Sequence, residues 1–274
     1  MIRLKTKEEI KILREGGKKL ASVLNMVAEK AVPGATTGEL EALACALIQE
    51  AGGRPAFKNL PMGNDLVFPT ALCTSINDEI VHAPALPART LKSGDIVGID
   101  IGMEYPIKYQ DDRSPRNKYS RLGGYYTDMA VTLIVGAVDA EIKALVDTTK
   151  EALDLGIKKV KPGNTLNDIG KTIQIFVEAR GFSVVRDLVG HGVGHKIHED
   201  PPVPNYAFVD SGWRDTVLKP GMVIAIEPMI NMGSWQIRQN SDGFAYLTAD
   251  GSLSAHFEHT IAVTEDGCEV LTAF

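Results

Sequence analysis

The first part of the chain carries two apolar stripes with helical spacing, and a capping signal precedes each. Residues 6–9, Thr-Lys-Glu-Glu, have the form of a capping box, so the stripe behind them predicts a helix over about 7–30. A second box formed by Thr36 and Glu39 predicts a second helix that ends at the Gly-Gly pair 52–53. The stripes consist of Ile10, Leu13, Leu20, Leu24 and Val27, and of Leu40, Leu43, Leu47 and Ile48.

The same order of signals returns in the second part of the chain. A Pro-Gly pair followed two residues later by threonine occurs at 33–36 and again, between two further apolar stripes, at 162–165. A longer match joins 91–100 to 218–227: both segments begin with Leu-Lys, turn at a glycine and end in an apolar run with a carboxylate. The sequence therefore repeats itself once.

This duplication predicts one domain, 1–274, built from two half-repeats at about 1–138 and 139–274. Each half would contain two helices followed by a strand-rich section. Short β-branched runs such as 96–101 and 223–226 are typical of buried strands. The predicted fold class is α+β, with the duplicated helices lying over a curved, mostly antiparallel sheet.

Segment 106–124 interrupts this plan. It lies where a hairpin is expected between Asp100 and Asp128, and it is rich in alternating charges and turn residues. We expect a surface loop insertion there.

The composition is that of an ordinary globular protein, because 44% of the residues are hydrophobic and 23% are charged. A net charge of −6 provides no basic field for a phosphate backbone, so nucleic acid is not expected as a partner. No apolar run suits a signal peptide or a membrane span, which predicts a cytoplasmic protein that does not bind membranes. The 3 cysteines lack CxxC spacing and indicate neither disulfides nor a thiolate zinc site.

Duplicated carboxylates are the strongest chemical signal. Asp100 and Glu227 end apolar strands at matching positions, and Asp128 and Glu258 each precede a β-branched stretch. Burying an ionised carboxylate costs several kcal/mol unless a positive group faces it, and neither strand contains lysine or arginine. If the halves converge, four carboxylates meet in one interior site and require cations.

His191 adds an imidazole to this set, and the two glycines that flank it are expected to leave room for a ligand. Carboxylates with one histidine suit divalent Mn, Fe, Co or Zn, and the number of oxygens indicates two ions. Two ions that share a water form the centre of a metallo-hydrolase. Taken singly, a strand-end carboxylate is more often a cap or an ion-pair partner, and a lone histidine is more often structural. His82 and His198 stand out less by spacing alone.

Five sequence blocks follow one another over nearly the whole chain: NDEIVH at 77–82, GDIVGID at 94–100, GHGVG with HEDP at 190–201, IEPM at 226–229 and SAHFEHT at 254–260. In this order they resemble the signature blocks of type I methionine aminopeptidases. The resemblance implies the pita-bread fold, a pseudo-twofold duplication. It also implies an enzyme that hydrolyses the N-terminal methionine from nascent proteins and peptides, preferring a small uncharged second residue, by a water or hydroxide that two metal ions activate.

The same resemblance implies the metal ligands, with Asp128 and Glu258 bridging two ions, Asp100 on one ion, and His191 with Glu227 on the other. Glu227 would also shuttle a proton.

Two further histidines would face the substrate. The resemblance places His198 near the scissile carbonyl oxygen and His82 near the peptide nitrogen.

Phe68, Cys73 and Phe244 occupy the positions that match the methionine-binding pocket, although plain core positions are an equal alternative. Ile197 stands where some relatives have a bulkier aromatic, and segment 61–66 matches the family poorly. The expected substrate is a peptide or nascent chain, and the expected state is a monomer. For the insertion, shielding of the site, a ribosome contact and no function are all open.

Three rival interpretations remain. Xaa-Pro peptidases carry the same ligand set, but the runs 226–229 and 257–260 favour methionine specificity, and we expect no separate N-terminal domain. A binding protein on the same scaffold would usually have lost metal ligands. A metal-free structural module would leave the carboxylates unneutralised.

Overall fold

The structure, a computed structural model, describes residues 2–63, 66–107, 124–208 and 215–273, so most of the predicted insertion lies outside it. The described residues form four helices and seventeen strands. The helices are α1 (Lys7–Ala28), α2 (Thr37–Glu50), α3 (Ala140–Ile157) and α4 (Leu166–Glu178). The strands are β1 (Arg54–Pro55), β2 (Pro61–Gly63), β3 (Leu66–Val67), β4 (Leu72–Ile76), β5 (Glu79–Val81), β6 (Ile96–Tyr105), β7 (Tyr125–Ile134), β8 (Ser183–Val184), β9 (Gly190–Gly192), β10 (Glu199–Val203), β11 (Val223–Ile226), β12 (Met229–Asn231), β13 (Ile237–Gln239), β14 (Tyr246–Thr248), β15 (Ser254–His256), β16 (Glu258–Val263) and β17 (Cys268–Val270).

Both predicted capping boxes are confirmed. In α1 the Thr6 hydroxyl accepts the Glu9 N–H, and the Glu9 carboxylate accepts the Thr6 N–H. Thr36 and Glu39 make the same pair of bonds at the start of α2. Each box satisfies two backbone groups that a helix start leaves free, which explains why these helices begin where the sequence predicts.

The main sheet has nine strands and is antiparallel at every pairing that the described residues make. Its order is β1-β6-β7-β16-β11-β9-β10, with β4 also on β6 and β17 also on β16. The expected hairpin is confirmed, because β6 and β7 pair along their whole length with Asp100 opposite Ala130 and Gly102 opposite Asp128.

Corresponding turns in the two parts of the chain make matching backbone hydrogen bonds. The Gly34 N–H donates to Leu91 O at 2.9 Å, and the Gly163 N–H donates to Leu218 O at 3.2 Å. Both glycines have positive φ, +92° and +89°, a conformation that glycine adopts without steric cost. These contacts support the proposal of two half-repeats.

Strands β7 and β16 join the two parts at the centre of the sheet. The Thr260 hydroxyl accepts the Asp128 N–H at 2.9 Å and donates to the Asp128 carbonyl at 2.8 Å. Thr132 of β7 makes a similar pair of bonds, both 2.8 Å long, with the backbone of His256, the last residue of β15. Because the four residues are buried, these bonds fix β7 against β16 and against the end of β15.

The core has two main parts on the helix-covered side of the molecule. One packs α1 and α2 residues such as Leu24 and Ile48 against Ile99 and Met129 of the sheet. The other packs α3 and α4 against β11, β12 and β16. Within the described residues, no helix combines the length and apolarity that crossing a membrane requires.

Candidate active site

The five predicted metal ligands come from five strands that are neighbours in the sheet order β6-β7-β16-β11-β9. Asp100 lies in β6, Asp128 in β7, Glu258 begins β16, Glu227 directly follows β11, and His191 is the middle residue of β9. Adjacent strands lie ~4.8 Å apart, so one side chain from each can reach a common space. The sheet therefore assembles the set that the sequence predicts.

The ligand atoms form overlapping groups whose members lie within 4.8 Å of one another. Asp100, Asp128 and Glu258 form one trio, and His191, Glu227 and Glu258 form another. Glu258 belongs to both. Asp128 also forms a trio with His191 and His198, which places His198 close to the same centre.

Three of the carboxylates are almost inaccessible to solvent: the exposed fraction is 9% for Asp100, 3% for Asp128 and 2% for Glu258. One oxygen of each is buried without a hydrogen-bond partner. In the described part of the chain, the basic side chains that approach these carboxylates are histidines. His191, for example, lies beside Asp128 and Glu227. Buried, unsatisfied carboxylate oxygens of this kind fit divalent cations.

Burial shifts the titration of these acids upward. It raises the pKa of Asp100 to about 7 and the pKa of Glu227 to about 8. Burial, and then repulsion by the neighbouring carboxylates, raise the pKa of Asp128 and of Glu258 well above their usual range. Without a cation the cluster therefore holds protons, and a cation that binds it displaces them.

His191 is oriented as a metal ligand. Its Nδ1 lies 2.9 Å from the Gly192 carbonyl, so Nδ1 carries the proton and donates it there. Nε2 faces the acids, 3.5 Å from Glu227 Oε1 and 3.8 Å from Asp128 Oδ2. Burial lowers the pKa of His191 to about 3, which keeps the ring neutral and its lone pair available.

The glycines beside His191 have a different role from the one expected. The sequence suggested that they leave room for a ligand. In the structure, a Cβ on Gly190 would lie 2.4 Å from Ala225 O, and a Cβ on Gly192 would lie 2.2 Å from Asp200 O. They are needed because neighbouring backbone passes too close for any side chain.

His82 and His198 both line the cavity beside the cluster. His82 has φ +62°, a left-handed conformation that is unusual for a non-glycine residue and concentrates at functional sites. Its Nδ1 is buried without a hydrogen-bond partner, and burial lowers the pKa of the ring to about 4. The His198 ring stands edge-on to His191 with centroids 4.5 Å apart.

The cavity measures about 350 Å³ and has one acidic and one apolar side. Phe68 and Cys73 line it, as predicted for the pocket. Phe244 is not among its lining residues and instead packs edge-on against Phe68, with ring centroids 5.8 Å apart. Ile197 is buried in the same apolar cluster. The lining residues that the sequence did not identify include Phe57, Leu60 and Met62.

Sequence reasoning also missed His256. It is only 3% exposed, and its Nε2 lies 3.6 Å from Glu227 Oε2. Burial lowers its pKa to about 4. The available signal was its position two residues before Glu258, because alternate residues of extended chain point to the same side.

Removing metal should make the stability of the protein depend on pH between about 7.5 and 9. Asp100 and Glu227 have pKa values of about 7 and 8 in the fold, above the ~4 of an unfolded chain. The folded chain then binds more protons than the unfolded chain, so stability falls as pH rises through this range. The buried histidines act in the opposite direction below about pH 7.5, where the unfolded chain still protonates part of them, and contribute little above it.

Thermal unfolding with a chelator at pH 7.5 and pH 9, repeated with Mn²⁺, tests this expectation. The melting temperature should fall with pH only in the chelated sample, by roughly 2–4 °C for each kcal/mol. An equal fall in both samples would contradict the assignment of the effect to this cluster.

Comparison with known proteins agrees with this geometry. A profile of the Metallopeptidase family M24 matches residues 11–112 and 119–265. The chain is 43% identical over 273 residues to the methionine aminopeptidase of Clostridium perfringens, an alignment that covers 99% of each chain. It matches the crystal structure of methionine aminopeptidase from Thermotoga maritima with a TM-score of 0.87 and 42% identity over 100% of both chains. The prolidase from Pyrococcus horikoshii gives a TM-score of 0.70 at 22% identity, covering 98% of this chain and 63% of its own, and that likeness concerns the fold alone.

Proposed function

The chain belongs to metallopeptidase family M24, and we propose that it removes the N-terminal methionine from nascent proteins and peptides whose second residue is small and uncharged. It is a metal-dependent aminopeptidase, and the predicted pita-bread fold is confirmed. The observation that carries the proposal is one cavity in which five metal-ligand candidates face an apolar wall.

The acidic side fits divalent metal. Three buried carboxylate oxygens without partners and one oriented imidazole nitrogen are the donors that Mn, Fe, Co and Zn accept. We propose two ions, because the trios of ligand atoms overlap at Glu258 and are otherwise different. Asp128 and Glu258 would hold both ions, Asp100 one of them, and His191 with Glu227 the other.

When bound, the ions lower the pKa of a water held between them and polarise the scissile carbonyl. The chain's own groups would do the rest. Glu227, whose side chain is 13% exposed, would accept a proton from the attacking water and pass it to the leaving amine. His198 would donate a hydrogen bond to the carbonyl oxygen as negative charge develops there. His82 would bind the peptide nitrogen.

The apolar side of the cavity would receive the methionine side chain. Phe57 and Phe68 supply aromatic walls, and Met62 and Cys73 supply soft, polarisable sulfur. A thioether suits such a surface, since it is unbranched and makes favourable contacts with aromatic ring edges. Phe244 would act from behind, by holding Phe68 in place.

Release of the first residue from two tripeptides, Met-Ala-Ser and Ala-Pro-Ser, tests the proposal. With Mn²⁺ or Co²⁺ present we expect release of methionine only, and no release after chelation. Free methionine measured by chromatography is the readout.

Each other outcome points elsewhere. Cleavage before proline would move the chain to the Xaa-Pro peptidases, which share the ligand set. If metal binds but neither peptide is cleaved, a binding protein on the same scaffold would be favoured.

The setting of the activity follows from the proposed substrate. We propose that the enzyme works as a monomer in the cytoplasm, where nascent chains emerge. A contact with the ribosome would suit this role. For segment 106–124, which lies mostly outside the described residues, shielding of the site, a ribosome contact and no function stay the three alternatives.

A further inference from the structure

The N-terminal strap, residues 2–9, reaches the loop that carries His198. This site loop, residues 194–199, connects β9 to β10. Lys5 of the strap is only 2% exposed, and its Nζ lies 2.7 Å from Glu199 Oε2, whose side chain is 10% exposed. The pair is partly buried and joins positions 194 residues apart.

Two further contacts fix the strap. The Lys5 N–H donates to Gly221 O at 2.7 Å, which ties the strap to the turn before β11. Glu9 Oε1 lies 3.3 Å from His195 Nε2, and the Tyr125 ring packs against His195 with centroids 5.3 Å apart. The strap therefore contacts the site loop near both ends of the loop, at His195 and at Glu199.

The site loop is built around the lysine. Gly194 has φ +140°, and a Cβ at this position would lie 2.5 Å from Lys5 Cε. Glu199 Oε1 accepts the Lys196 N–H at 2.8 Å, while Oε2 binds Lys5. One carboxylate thus closes the loop on itself and anchors it to the strap.

His198 lies inside this closed segment, directly before Glu199, and both residues line the cavity. We propose that Lys5 and Glu199 are positioning residues for catalysis: their ion pair sets where the His198 imidazole stands relative to the scissile carbonyl. The inference rests on the proposed function. A displacement of about 1 Å in a reacting group can cost roughly 10²-fold in rate, so an anchor in the strap matters to the chemistry.

Replacing the lysine with an isosteric apolar side chain, Lys5→Met, tests the inference with Met-Ala-Ser as substrate. We expect kcat to fall roughly 10- to 100-fold, with KM and metal affinity unchanged. The decisive measurement is a double-mutant cycle with His198→Ala. If Lys5 acts through His198, Lys5→Met causes no further loss once the imidazole is gone.

Arg14→Met is the matched control. It removes a different ion pair, from Arg14 Nη2 in α1 to Glu269 Oε2 at 2.7 Å, away from the site loop. It should leave kcat unchanged. If Lys5→Met does not fold, Glu199→Gln replaces it in the cycle. The amide keeps the size of the side chain, but it carries no charge and has one acceptor oxygen for the two hydrogen bonds that Glu199 accepts. Additive losses in the cycle, or an unchanged kcat, would overturn the positioning role. If the wild-type enzyme does not cleave Met-Ala-Ser, the proposed function is overturned, and this inference with it.

Discussion

Glu258→Gln should abolish measurable peptidase activity and at the same time make the metal-free protein more stable. Glu258 belongs to both ligand trios, so its loss weakens both metal positions, and we expect kcat/KM to fall by roughly 10³-fold or more. The stability gain has a separate cause. Burial and three neighbouring acids raise the pKa of Glu258 well above its usual range, so folding without metal requires this group either to take up a proton or to bury its charge. A neutral amide avoids that cost.

Calorimetric titration with Mn²⁺ and thermal unfolding at pH 8, with and without chelator, separate the two effects. In chelator, the variant should have a higher melting temperature than the wild type. With metal, its melting temperature should rise less, because a ligand at 100-fold above Kd adds ~2.7 kcal/mol to the free energy of unfolding only when the site is intact. Glu265→Gln, an exposed glutamate just beyond the same strand, is the matched control and should change neither quantity. A variant that binds metal and cleaves normally would remove Glu258 from the ligand set.

His198→Ala is expected to fold, bind metal and turn over slowly. His198 is an imidazole that lies at the edge of the cluster without being one of the five proposed ligands. Removing one donor to a developing oxyanion typically lowers kcat by ~10²–10³-fold.

Steady-state kinetics on Met-Ala-Ser, with metal affinity measured in parallel, provide the test. His198→Gln is the informative companion, since its amide N–H can still donate and should recover part of the lost rate. An undiminished rate in the alanine variant would exclude His198 from the mechanism. A loss of metal binding would instead identify His198 as a ligand, in line with its trio with Asp128 and His191.

Local signals predicted much of the fold because their causes are local. A capping box needs only residues three apart, and the boxes at Thr6 and Thr36 are present in the structure. The hairpin between Asp100 and Asp128 follows from two β-branched runs that pair antiparallel. The division into halves near residue 138 stays a prediction that the matching turns support.

The candidate site was predictable where charge alone decides. The duplication predicted that the two halves converge, and four acids that meet in apolar surroundings require neutralisation, so the need for cations followed from the sequence. The positions of His256 and Phe244 depend on which strands pack together, and no short-range pattern encodes that. The flanking glycines of His191 show the same limit: their cause is a carbonyl on another strand.

The five proposed ligands lie on, or directly after, five adjacent strands, and this has a consequence for ion selectivity. Strands in a hydrogen-bonded ladder spread less readily around an incoming ion than the flexible loops of many calcium sites. Ca²⁺ takes six to eight oxygens at roughly 2.3–2.6 Å. We therefore expect the stiffness of this backbone, as well as the chemistry of its donors, to favour smaller transition-metal ions over Ca²⁺.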